Sequence, residues 1–117
     1  MVIGQLLHAT TTQPYYTPWS GRRGNSAVMV LDVIACSLTG GTGAQISVQT
    51  KNSEDPDSSP TPDTLGTFAN ITSVPATPPT LYVSGFKELY RLKVTFVSTG
   101  ADDWLHFRQL QPSWVTN

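Results

Sequence analysis

A chain of 117 residues suffices for one domain with its own core. Its formal net charge of −1 leaves no cationic excess to neutralise phosphates, which argues against nucleic acid as a direct partner. Charged residues make up 13% of the chain, well under the roughly 25% usual in globular proteins, so the surface is rich in Thr, Ser, Gln and Asn and suits a protein that sits against other protein.

The first residues, "MVIGQLLHATTTQ", lack the basic start and long apolar core of a signal peptide. No apolar run approaches the ~20 residues of a membrane span. The expectation is a chain made in the cytoplasm, with no membrane partner. The segment "TTQPYYTPWSGRRGN" has little periodicity and is broken by Pro14 and Pro18. It predicts an extended N-terminal arm over 1–24, ahead of a sandwich domain over 25–117. Tyr15, Tyr16 and Trp19 are costly to leave together in water. They either plug the end of their own sandwich or, with Arg22 and Arg23, contact a neighbouring subunit or a ligand, because Tyr, Trp and Arg are the residues enriched at interface hot spots.

"AVMVLDVIACSL" over 27–38 is apolar on both faces except at Asp32, and predicts a central strand covered on both sides. Asp32 is expected on an exposed stretch of it, and Cys36 as a buried small hydrophobe; a single cysteine excludes an intrachain disulfide. "TGGTG" supplies a turn. Ala44, Ile46, Val48 and Thr50 then alternate with Gln45, Ser47, Gln49 and Lys51, a half-buried strand expected to pair with 27–38 as an antiparallel hairpin.

The following loop carries Glu54, Asp55, Asp57 and Asp63 among serines and prolines. Its spacing does not match a calcium loop, and prolines 56, 60 and 62 restrict convergence of the carboxylates, so it reads as a solvated tip. "LGTFANIT" over 65–72 predicts a short strand, "SVPATPPT" a connector, and "LYV" over 81–83 a short edge strand. In "FKELYRLKVTFV" over 86–97, Phe86, Tyr90, Leu92, Val94 and Phe96 share one face, and Lys87, Arg91, Lys93 and Thr95 the other. "WLHFRQLQ" over 104–111 places Leu105 and Phe107 opposite Trp104, His106, Arg108 and Leu110. Period two throughout predicts an all-β chain: a single antiparallel β-sandwich or jelly roll with an extended N-terminal arm.

No constellation announces chemistry. His8 and His106 are the only imidazoles available as a base; His8 lies near the terminus, and His106 alternates with Trp104 and Arg108 and reads as a packed or exposed strand histidine. G-x-S-x-G, H-E-x-x-H and the phosphate-binding loop are absent. The expectation is a non-enzyme with no catalytic residues, metal or cofactor.

"ISVQTKNSEDPDS", "LGTFANIT", "KELYRLKVTF" and "STGADDWLHFRQLQPSW" together resemble small β-sandwich accessory proteins encoded in the structural gene clusters of tailed bacteriophages. The resemblance covers residues 27–114 and lies in pattern and register. The layout also occurs in galactose-binding-like sandwiches, whose loop carries Asp-Gly and an aromatic; "SEDPDSSPTPD" departs from that. The phage resemblance implies a virion protein: a capsid decoration (cement) protein on the capsid surface, bound to the major capsid protein and assembled as a homotrimer. The alternatives are a tail or connector component, or a carbohydrate- or cell-surface-binding module using Trp19, Trp104 or Trp114.

Overall fold

The computed structural model describes residues 14–38, 43–56, 62–96 and 104–115, together with the backbone of 4–8. All regular structure is β, in two packed antiparallel five-stranded sheets. The predicted β-sandwich is therefore present, and no helix occurs among the described residues.

The first sheet is built on β4 (Ser26–Ser37). β10 (Ser113–Val115) and β9 (Trp104–Gln109) lie end to end along one edge of β4, broken around Pro112. Across the break, the Leu110 N–H donates to Val30 O at 3.1 Å. β7 (Thr80–Ser84) pairs with the first half of β4 on its other edge, and β1 (Gly4–His8) lies outside β9. In the second sheet, β8 (Leu89–Phe96) pairs along its full length with β5 (Ala44–Lys51), from Ala44↔Phe96 to Lys51↔Leu89. β6 (Asp63–Thr67) is outside β5. Outside β8 lie the short strands β2 (Tyr15–Tyr16) and β3 (Ser20–Gly21).

Alternation explains which faces turn inward. Ala27, Met29, Leu31 and Val33 of β4 meet Ala44, Ile46 and Val48 of β5, Leu92, Val94 and Phe96 of β8, and Leu105 and Phe107 of β9 in one core. At one end Trp114 closes that core, with its ring 4.9 Å from Phe86 and 5.5 Å from Tyr90 in edge-on packing. Along one side, β6 approaches β7 so closely that a Cβ on Gly66 would sit 3.0 Å from Val83 Cγ1.

Two expectations need correction. The strands 27–38 and 44–51 do not form a hairpin: β4 and β5 belong to opposite sheets, and β5 pairs with β6 and β8. Inward alternation is the same whether two successive strands sit side by side or in facing sheets. The crossing is marked by buried Leu38 and by Gly43, whose φ of 109° is available only to a residue without a side chain to clash. Nor is β4 covered on both sides. Its second face is outermost among the described residues, leaving Val28 and Val30 half-buried, and a bulge between Val33 and Ala35 leaves Ile34 exposed. Asp32 is on this outer face, as expected, where the Arg108 guanidinium donates to it at 2.7 Å.

Candidate interface surfaces

The N-terminal segment contributes strands to both sheets, and Pro14 and Pro18 confine its pairing with β8 to short pieces. Thr17 bridges those pieces: its N–H donates to Leu92 O at 3.0 Å, and its hydroxyl accepts from Leu92 N–H at 2.8 Å. Alternation along β2 sends its two side chains to opposite faces of the sheet. Tyr15 turns inward against the edge of Phe96, 6.1 Å between centroids. Tyr16 and Trp19 cover the outer face of the second sheet.

Under them lie two cations. Arg91 and Lys51 are each only 7% exposed. The Arg91 guanidinium is 3.8 Å from the Tyr16 centroid and 4.3 Å from that of Trp19, while Lys51 Nζ is 5.0 Å from Trp19. Arg91 Nε also donates to Gln49 Oε1 at 3.0 Å, and Lys51 Nζ to Asp55 O at 2.9 Å. Burial strengthens such contacts because the cations have given up most of their water. Of the aromatic residues singled out in the sequence, Tyr16 and Trp19 thus come together over their own sheet, while Tyr15 packs against the core.

Arg22 and Arg23 diverge. The Arg22 Nη1 donates to Phe86 O at 2.8 Å and Asn25 Oδ1 at 3.0 Å, fastening the segment to the turn before β8. Arg23 is exposed and lies beside Tyr90, where its charge opposes the upward push that burial gives the Tyr90 phenol.

Sequence reasoning missed the other surface. On the outer face of the first sheet, Tyr82 is 61% exposed and shares a rung with half-buried Val28 and with Ser113. Val30 and the exposed Val115 lie on the same face. Thr80, Ser84 and Ser113 lie around them, and the Asp32–Arg108 ion pair follows Val30 along the same face. The signal was present in the continuous apolar run of β4, which asks for cover on two sides.

The loop carboxylates make local contacts. Asp55 accepts from Asn52 N–H at 3.1 Å, and Asp63 pairs with Lys87 at 2.8 Å, holding the ammonium above its ordinary range. Asp57 lies outside the described residues. Among the described residues no three His, Cys, Asp or Glu side chains group as metal ligands. His106 is half-buried on the outer face of β9; the side chain of His8 lies outside the described residues. Cys36 is half-buried, and burial pushes its thiol up, away from the reactive thiolate. Of the three tryptophans, Trp114 is packed into the aromatic cluster, Trp19 covers the cations, and Trp104 is half-buried on β9. No family model, curated protein or solved structure matches the chain.

Proposed function

We propose that this chain is a non-enzymatic structural protein of a tailed-bacteriophage virion, a capsid decoration protein that binds the major capsid protein through the outer face of its first sheet and stabilises the head. The observation that carries this reading is the exposed Tyr82 beside Val28, Val30 and Val115 on a sheet face whose rim is made of the hydroxyls of Thr80, Ser84 and Ser113 and the Asp32–Arg108 ion pair. A large aromatic on an apolar centre with a polar rim is the anatomy of a protein-docking surface. Among the described residues β7 is also the outermost strand of its sheet, and such an edge can accept a strand from a partner. The low charge and the resemblance over 27–114 support the same reading, and assembly as a trimer belongs to it.

The test is association with heads. The purified chain is mixed with shells assembled from the major capsid protein encoded in the same genome. Saturable, stoichiometric binding that raises the shell's thermal stability is expected. Stoichiometric recovery on tails instead of heads would replace the decoration role with that of a tail component. Recovery on neither would overturn the virion reading.

A further inference from the structure

A cleft of about 230 Å³ opens where β3 meets the link between β9 and β10. Ser20, Arg23, Tyr90, Gln109 and Gln111 supply its polar groups, with Pro112 beside them. We propose that this cleft binds a carboxylate.

The floor of the cleft is fixed. Tyr90 is 8% exposed and is held by edge-on contacts to Phe86 and Trp114. The side chains of Ser20 and Gln109, which belong to different sheets, line the cleft beside it and oppose the rise that burial gives its phenol pKa. Polar atoms therefore converge from the N-terminal segment, from β8 and from the end of β9 on one small volume, as binding sites require.

The chemistry of the lining selects the ligand. Among the described residues that line it, Arg23 is the one formal charge and none is an acid. Among the described residues, no carboxylate pairs with the Arg23 guanidinium. The amides of Gln109 and Gln111 and the hydroxyl of Ser20 can each donate a hydrogen bond. A guanidinium with neutral donors around it matches an acceptor-only anion, and the fork of an arginine matches the two oxygens of a carboxylate. The volume limits the ligand to a single acidic group on a short stem. An aspartate or glutamate side chain presented by another protein satisfies these demands, and so does the acid group of a uronic sugar. This inference is independent of the docking role assigned to the outer face of the first sheet, since the cleft uses none of Tyr82, Val28 or Val115.

Titration of the full chain followed by amide NMR tests it. The probes are N-acetyl-glutamate N-methylamide and glucuronate, with N-acetyl-glutamine N-methylamide and glucose as their neutral counterparts. Saturable shifts centred on residues 20–23 and 109–111 are expected with at least one acid and with neither neutral analogue. Binding of the amino-acid probe alone assigns the site to a protein side chain, and of glucuronate alone to an acidic sugar. Arg23→Gln, at an exposed position, should weaken binding about tenfold or more while leaving the remaining spectrum in place. Tyr90→Phe should weaken it by removing a hydroxyl from the lining of the cleft. Absence of saturable shifts with both acids, equal shifts with the neutral analogues, or unchanged binding by Arg23→Gln would each overturn the proposal.

Discussion

Trp19 and Arg91, 72 positions apart in sequence, stack at 4.3 Å on the outer face of the second sheet. The contact ties a segment without periodicity to the strand at the centre of that sheet. Trp19→Ala removes a ring from over two buried cations and admits water to both. A loss of about 2 kcal/mol is expected from the lost cation–π contacts and covered area. Urea unfolding measures it. Arg91→Lys should not restore the wild-type value in place of arginine, because a point charge cannot lie flat between two rings. Stability unchanged by Trp19→Ala would show that the segment is not seated on β8.

Thr50 is fully buried at an inward position of β5. Its hydroxyl donates to Leu89 O at 2.7 Å and accepts from Lys87 N–H at 2.8 Å. Thr50→Val keeps the shape and strands both backbone groups, so a cost of about 1–3 kcal/mol is expected. A valine variant as stable as the parent would mean that these groups find other partners.

At Gly43 a Cβ would meet Ile71 O at 2.6 Å, and the φ of 109° disfavours any side chain. Gly43→Ala should therefore cost more than about 1 kcal/mol, read as a fall in Tm. Gly21→Ala is the control, since nothing lies within 4 Å of the added carbon.

The alkaline limb of stability should depend on Tyr90. Burial raises its phenol pKa, against the opposing influence of Arg23, Gln109 and Ser20. The unfolded chain then releases this proton first as pH rises. The contribution is complete below the ordinary tyrosine value of about 10 and is lost as pH climbs through the folded value. Lys87, raised by its bond to Asp63, acts in the same direction. Unfolding free energy should fall above about pH 10, less steeply in Tyr90→Phe than in the parent. Equal slopes would contradict the assignment.

The sequence made the long strands legible because their alternation is local. Met29, Leu31, Ile46, Leu92 and Phe107 all turn inward where period two puts them. Which strands pair is a non-local property, so β4 and β5 could not be told apart from a hairpin. β1 and β10 escaped notice because they are short and take their order from β9 and β4. Arg91 was legible as an outward residue of β8, but its burial depends on Tyr16 and Trp19 returning over it. Tyr82 could be placed on a short edge strand, yet its exposure follows from the absence of a third layer over β4 among the described residues. The cleft draws on Arg23, Tyr90 and Gln109 from three separate stretches, and no local pattern joins them.

Docking through the outer face of the first sheet is tested most directly by Tyr82→Lys. Tyr82 is exposed in the free protein, so the substitution should leave Tm nearly unchanged, while an anchor at the centre of an interface costs about 2 kcal/mol or more, some thirtyfold in affinity. Cosedimentation with capsid shells should show saturable binding by the parent and a loss of that size in the variant. Shell binding by Tyr82→Lys equal to that of the parent would contradict the assignment of this face, and absence of shell binding by the parent would contradict the decoration role itself.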